Sequence, residues 1–249
     1  MNVTPIPALD GARPIPPRLP LRDSFLSLRD VPQLSFQQAR HAFPMVHPAC
    51  PAEWKRQIRD LRNRLNEAQA ELQDPADRLQ ILAFSNMDGR RRRYGIAANM
   101  ALAMASIQDT RVLVIDANLI APSLHTALGL PDSPGLCEAS RADRLALPPC
   151  FRRIAGTQVY LLPAGNSDVF PESPLSLDGL QALLHSLRSQ FDWIFLDAPG
   201  FDTPTDALAF TLAADGLILM IDREYDDYAG VTLALSQVER RRLLGAVLY

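Results

Sequence analysis

Short, almost uninterrupted apolar runs separated by longer amphipathic stretches dominate the chain beyond Arg78. The runs are Leu79–Phe84, Val112–Ile115, Val159–Leu162, Trp193–Leu196, Leu217–Ile221 and Leu243–Tyr249. Between them, helical spacing predicts helices across Ile96–Ile107, after Leu124, across Leu177–Leu187, around Ala207–Ala213 and across Ala229–Arg240. Apolar strands that alternate with helices signify strands buried on both faces. The expected fold is α/β, a doubly wound and mainly parallel sheet with helices on both faces. Ligands of such folds bind at the carboxyl ends of the strands, which directs attention to the loops after Phe84, Ile115 and Leu196.

Upstream, Trp54, Ile58, Leu61, Leu65, Ala68 and Leu72 recur at spacings of three, four and seven, the stripe of an amphipathic helix over residues 53–73. Asp74-Pro75 closes it, because the residue before proline is pushed out of the α region. The opposite face carries Arg56, Arg59, Arg62 and Arg64, either a solvated face or a surface for an anionic partner. Residues 1–52 are rich in proline and read as a largely extended or disordered arm without chemistry, whose apolar Phe25-Leu26 and Val46 could dock on a neighbouring surface. The domain proper is expected over residues 53–249, with its sheet core at 78–249.

Composition narrows the class. With 47% hydrophobic and 21% charged residues, the 249-residue chain has a soluble globular make-up. A net charge of −3 provides no global attraction to nucleic acid or anionic lipid, so nucleic acid is not an expected partner. Cys50, Cys137 and Cys150 have neither the count nor the spacing of a disulfide framework or a zinc site, and are read as free thiols. No leader pattern and no apolar run of roughly 18 residues is present, so a cytoplasmic location is expected.

The first core strand leads through Ser85–Tyr94 into a helix that begins near Gly95, the strand, loop and helix context of a phosphate cradle. Arg90, Arg91, Arg92 and Arg93 stand together in that loop. They read as a solvated loop filling a pocket, as an anion site for ATP, a nucleotide sugar or a phosphorylated lipid, or as a contact for an acidic partner. Arg240-Arg241-Arg242 is a further basic cluster.

Six ordered stretches resemble one family. They are Gly95–Ala105, Arg111–Leu119 continuing through Pro122-Ser123-Leu124-His125 and Leu128-Gly129-Leu130, Leu161–Gly165, Phe191–Pro199, Thr205-Asp206-Ala207 and Ala214-Asp215-Gly216. Over about Arg78 to Tyr249 the chain resembles the capsular and exopolysaccharide tyrosine autokinases of bacteria, a branch of the MinD/ParA P-loop NTPase superfamily. The resemblance implies a P-loop NTPase fold and a Mg²⁺·ATP site. It also implies work beside an inner-membrane polysaccharide co-polymerase that controls polysaccharide synthesis and export.

The departures from the family pattern are concentrated in the loops. The phosphate-binding pattern falls on Met87 to Tyr94, with Met87 and Arg92 where glycines belong, Gly89 between them, Arg93 for the lysine and Tyr94 for the Ser/Thr. Lys55 is the only lysine in the chain and precedes the first core strand. Glycines let the backbone wrap phosphates and the hydroxyl binds Mg²⁺, functions that these side chains replace poorly. Asp116 and Asp197 stand where the family places metal-site carboxylates, whereas Asn118 replaces a second aspartate and Ile120-Ala121 an arginine pair. Asp116 and Asp197 read as structural remnants that cap or order loops.

The expectation is therefore no catalytic residue, no metal, and ATP/Mg²⁺ binding lost or weak. The family's oligomer motif, laid on the leading helix, puts Arg56 on a glutamate, and that reversal replaces an intersubunit attraction with a repulsion. The tyrosine-rich tail of the kinases and the membrane helix of MinD relatives have no counterpart before the sequence stops at Tyr249. Together these features imply a pseudokinase-like regulatory or scaffold subunit, cytoplasmic and peripheral to the inner membrane through a membrane-protein partner, with self-association as a second option. The alternatives are an active ATP-dependent autokinase or ATPase using Arg93, Asp116 and Asp197, or a MinD/ParA-like positioning ATPase.

Overall fold

A computed structural model of the chain describes residues 31–34, 52–72, 78–88, 95–106, 110–128, 130–132, 134–140, 147–166, 177–202, 204–222, 224–226 and 228–248. Phe25-Leu26, Val46 and Cys50 lie outside these residues, as does the loop from Gly89 to Tyr94.

In chain order the elements are β1 (Gln33–Leu34), α1 (Ala52–Glu71), β2 (Ile81–Asn86), α2 (Ile96–Ala105), β3 (Val112–Asp116), α3 (Leu124–Leu128) and α4 (Leu136–Ala139). A 3₁₀ turn at Pro148–Cys150 leads to β4 (Arg152–Ile154), β5 (Val159–Leu162), α5 (Leu177–Leu187), β6 (Trp193–Asp197), α6 (Pro204–Ala213), β7 (Gly216–Ile221), α7 (Tyr228–Gln237) and β8 (Leu243–Leu248). They form an eight-stranded sheet in the order β1-β4-β5-β3-β6-β2-β7-β8, in which β4 and β5 are antiparallel and the other neighbours parallel.

Alternate residues of each apolar run serve opposite faces, which is why the runs are continuous. Ile81, Ala83, Leu113 and Ile115 point to a core shared with Leu180, Leu184 and Leu187 of α5 and Ala207 and Phe210 of α6. Leu82, Phe84, Val112 and Val114 point to a second core with Met100 and Met104 of α2 and Ile58 and Leu65 of α1. The doubly wound α/β architecture read from the sequence is the one observed. The apolar stripe of α1 packs on α2, with Leu61, Ala68 and Leu72 half-buried beside Ile58 and Leu65.

Two strands had no sequence signal. Gln33 and Leu34 pair in parallel with Arg153 and Ile154, the Arg153 N–H donates to the Pro32 carbonyl at 2.8 Å, and Val31 is buried in the first core. Part of the segment read as an arm outside the domain is thus an edge strand of its sheet. A two-residue strand is too short to show an alternation, and proline next to it is tolerated at an edge. β4 likewise holds only three residues.

The amino-terminal edge of the sheet is tied together by carboxylates. Asp215 Oδ2 accepts the N–H groups of Gln80 at 2.9 Å and Ile81 at 2.8 Å, and Arg188 pairs with both carboxylate oxygens. Asp192 Oδ2 accepts the Arg111 N–H at 2.8 Å. Cys137 and Cys150 are buried and form no disulfide among the described residues. Among the described residues no helix is long and apolar enough to cross a membrane.

Candidate functional site

Because β6 lies between β3 and β2, the topology brings the ends of those three strands together. Asp116 is in register with Asp197, and Asp197 with Phe84. Sequence-distant Asp116, Asp197 and the loop entered through Met87 therefore share one end of the sheet. Beyond the strands the loops after β2 and β6 are stitched to each other. Ser85 Oγ donates to the Pro199 carbonyl at 2.6 Å, Phe201 N–H to the Asn86 carbonyl at 2.9 Å, and Asp202 N–H to the Met87 carbonyl at 3.0 Å. The Met87 side chain is half-buried and packs against the first core.

Asp116 is fully buried. Its Oδ2 accepts the N–H groups of Ser123 at 2.7 Å and Leu124 at 2.8 Å, so it orders the loop that starts α3. Its Oδ1 has no hydrogen-bond partner among the described residues. Burial pushes the Asp116 carboxyl above the usual carboxylate range, while the N–H groups of Leu124, Ser123 and Asn118 and the charge of His125 pull it down. A folded-state pKa raised above the unfolded value means that the native state holds the proton longer. Stability is therefore lost as pH rises from the ordinary carboxylate value through the raised one. Asp116→Asn, which cannot ionise, is expected to gain stability relative to the parent in urea titrations as pH rises above the ordinary carboxylate range. Parallel pH profiles would show that the carboxyl titrates alike in both states.

Asn118 Oδ1 accepts the Ala121 N–H at 3.0 Å and closes the loop after β3, the local turn that this residue type favours. Next to it Ile120 is 57% exposed. Gly89, Arg90, Arg91, Arg92, Arg93 and Tyr94 lie outside the described residues. Past them, Gly95 takes φ 42° and its carbonyl accepts both the N–H of Asn99 at 2.9 Å and its side-chain amide at 3.0 Å. The helix after the loop thus begins from a left-handed residue that glycine adopts without strain.

The basic clusters divide into solvent-facing and packing residues. Arg56, Arg59 and Arg64 are exposed on α1. Arg62 turns inward and donates to the Ser106 hydroxyl at 3.2 Å and the Ala103 carbonyl at 3.5 Å, at the carboxyl end of α2. This removes it from the outward arginine face read from the sequence. Arg242 does the same for α6, donating to the carbonyls of Ala214 at 2.7 Å and Thr211 at 3.3 Å. Guanidinium groups satisfy terminal carbonyls and favour the negative end of a helix.

The Leu161–Gly165 stretch has a partner that sequence reading missed. Pro163 and Ala164 carbonyls accept the N–H groups of Leu136 and Cys137 at 2.7 and 3.0 Å. Glu138 holds the Gly135 N–H at 2.8 Å with Oε2 and the Asn166 N–H at 3.1 Å with Oε1. The signal was the spacing of Gly135 and Glu138, a capping arrangement at the start of a very short helix. Among the described residues no group of three or more His, Cys, Asp or Glu side chains could hold a metal ion.

No protein-family model matches the chain. Its relatives include the putative tyrosine-protein kinase CapB of Staphylococcus aureus, 22% identical over 205 residues that cover 82% of this chain and 87% of CapB. The tyrosine-protein kinase ptk of Acinetobacter johnsonii is 28% identical across 59% of this chain, and the succinoglycan biosynthesis transport protein ExoP of Rhizobium meliloti is 27% identical across 51%. The chain spans most of CapB but only 18% of ptk and 16% of ExoP.

Among solved structures, the chimerical protein CapA2B2 superposes with a TM-score of 0.68 at 20% identity, covering 88% of this chain and 92% of that one. The kinase domain of the Escherichia coli tyrosine kinase ETK gives 0.65 at 21% identity, covering 77% and 73%. The septum site-determining protein MinD of Pyrococcus horikoshii gives 0.52 at 22% identity, covering 68% and 69%. These likenesses establish the P-loop NTPase fold.

Proposed function

We propose that this chain, which its relatives set in the bacterial tyrosine-kinase branch of the MinD/ParA P-loop superfamily, is a non-catalytic regulatory or scaffold subunit of a polysaccharide synthesis and export system. The observation that carries the reading is the loop after β2. Met87 and Arg92 replace glycines, Arg93 the lysine and Tyr94 the Mg²⁺-binding hydroxyl, and the lone lysine, Lys55, lies on α1. Phosphoryl transfer depends on positioning and charge stabilisation, and no other chemistry compensates when the cradle and its cation are lost together.

The geometry of the neighbouring residues supports this. The Met87 carbonyl is bonded to Asp202 N–H and its side chain is committed to the core, so the loop starts as packing. Asp116 spends one oxygen on two N–H groups of its own chain, and Asn118 spends its carbonyl on Ala121. Such residues fit loop ordering better than a Mg²⁺·ATP site, and no phosphoryl-transfer step is assigned to them. The polysaccharide role is extended from relatives such as ExoP, whose name describes succinoglycan biosynthesis transport. An inner-membrane co-polymerase is the partner this implies, with the chain on the cytoplasmic side.

Calorimetry with ATP and ADP, with and without Mg²⁺, tests the reading. No binding tighter than about 1 mM is expected. Mg²⁺-dependent binding in the micromolar range, lost on Asp116→Asn, would replace this reading with that of an ATPase or autokinase built on Arg93, Asp116 and Asp197.

A further inference from the structure

The helices on the two faces of the sheet carry very different amounts of charge. Charged residues make up almost half of α1. On the other face α7 has no Asp, Glu, Lys or Arg, and Asp178 and Asp206 are the only ones of α5 and α6. The outward residues of α7 are instead Ala229, Thr232, Leu233, Ser236 and Gln237, and Leu233 is 63% exposed. Leu212, in the last turn of α6, is 44% exposed. One exposed leucine needs no explanation, but two on a helix layer almost without charge lack the ionic surroundings that ordinarily keep such a surface in water.

The turn between α7 and β8 adds cations to the same corner. Arg240, Arg241 and Arg242 follow a single carboxylate, Glu239. Arg242 Nη1 donates to the carbonyls of Ala214 at 2.7 Å, Thr211 at 3.3 Å and Leu212 at 3.4 Å, which seats the turn against the end of α6. Glu239 is shared by Arg241 at 2.6 Å and Arg242 at 3.5 Å. Arg240 is exposed and has no ion-pair partner among the described residues. Two exposed leucines thus stand beside three cations and one anion, on a chain whose net charge is −3.

We propose that this corner, formed by the ends of α6 and α7 and the turn at 239–242, is a contact for the surface of an anionic lipid bilayer. The Leu212 and Leu233 side chains enter the apolar margin of the headgroup layer, while Arg240 and Arg241 reach lipid phosphates with their long side chains. Charge complementarity selects the occupant. The cations attract an anionic surface and the negative remainder of the chain is repelled by it, so the chain approaches with this corner leading. A protein partner is fitted less well, because the core of a protein interface needs close shape complementarity. These leucines stand apart on two outward helix surfaces, among small and polar side chains, and a fluid headgroup layer adapts to such isolated groups. The contact goes beyond the regulatory reading and holds whether or not the chain binds nucleotide or a membrane protein.

Sedimentation of the full chain with lipid vesicles tests the surface. At low salt, vesicles with about 30% phosphatidylglycerol in phosphatidylcholine are expected to carry the chain down, and phosphatidylcholine alone is not. Binding should weaken about tenfold in roughly 0.5 M salt, because exposed charges are screened. Arg240→Glu is expected to weaken it at least about tenfold by reversing the unpaired cation, and Leu212→Ser combined with Leu233→Ser about as much. Lys55→Glu makes the same change in net charge on α1, across the sheet, and should shift binding less than about twofold. Circular dichroism of each variant checks that these surface substitutions leave the helices folded. A parent chain that stays in solution with anionic vesicles overturns the proposal, as does binding that Arg240→Glu leaves intact or that Lys55→Glu weakens equally. Indifference to the leucine pair overturns the insertion of Leu212 and Leu233, and sedimentation only with vesicles that hold a membrane protein would give the corner to a protein partner instead.

Discussion

Replacing Asp215 with alanine is expected to destabilise the domain by about 3 kcal/mol, the range for breaking a largely buried ion pair. Asp215 is the hub of the amino-terminal edge of the sheet. It accepts two N–H groups where β2 begins and holds Arg188 just past the end of α5, with side-chain exposures of 19% for the aspartate and 30% for the arginine. Removing it leaves the Gln80 and Ile81 N–H groups without their acceptor and a half-buried guanidinium without its counter-charge. Gln80 is 3% exposed, so water cannot readily replace the lost acceptor. The partial exposure of Arg188 keeps the loss at the lower end of the buried-pair range. Asp215→Asn retains one acceptor for the N–H groups but loses the charge and replaces the Oδ1 acceptor of Arg188 with an amide donor, so a loss smaller than that of alanine is expected. Urea unfolding of both variants separates the contributions, and a loss below about 1 kcal/mol for alanine would show that the edge relaxes around the gap.

Gly165→Ala is expected to cost about 3 kcal/mol, from roughly 1 kcal/mol of backbone strain and the loss of buried hydrogen bonds. Gly165 has φ 84°, a left-handed conformation that side chains rarely adopt. A Cβ there would overlap Glu138 Oε2 and approach the Cys137 N at 3.1 Å and Cβ at 3.2 Å. Glu138 is not free to swing away, because its two oxygens hold Gly135 N–H and Asn166 N–H. Moving it gives up the Gly135-to-Asn166 bridge and leaves only the Leu136 and Cys137 N–H bonds to hold the start of α4 on the end of β5. For a domain of this size the expected fall in Tm is roughly 6–12 °C by calorimetry. A variant that melts within about 2 °C of the parent would show that Glu138 gives way without consequence.

Much of the fold was legible because its signals are local. Each core strand reported both of its neighbouring layers through an unbroken apolar run, as Ile81 and Leu82 do by facing opposite cores. The leading helix was legible for the same reason, since Ile58, Leu61 and Leu65 repeat at helical spacing and share one contact with α2. The candidate site was legible in part. Fold reasoning located the loops after Phe84, Ile115 and Leu196, and the register of Asp116 with Asp197 unites two of them. The role of Arg62 was hidden, because an arginine on a polar helix face has the same spacing whether it meets solvent or caps another helix. Asn118 read as a lost carboxylate and is also a turn-forming residue whose amide oxygen the Ala121 N–H occupies.

By itself the sequence determined the α/β class, the order of its main strands and helices, and the identity of the side chains at Met87 to Tyr94, Asp116 and Asp197. Burial periodicity and residue identity are properties of each segment and need no partner to be read. Only the tertiary structure decided that Gln33–Leu34 join the sheet, that Arg62 closes α2 from 41 residues away, and that Asp215 receives the Gln80 N–H across 135 residues. It also decided that Glu138 locks Gly165. Short strands, long polar side chains and buried carboxylates take their partners from whichever elements packing brings alongside. That choice is made by the whole core, not by the residues nearby in the chain.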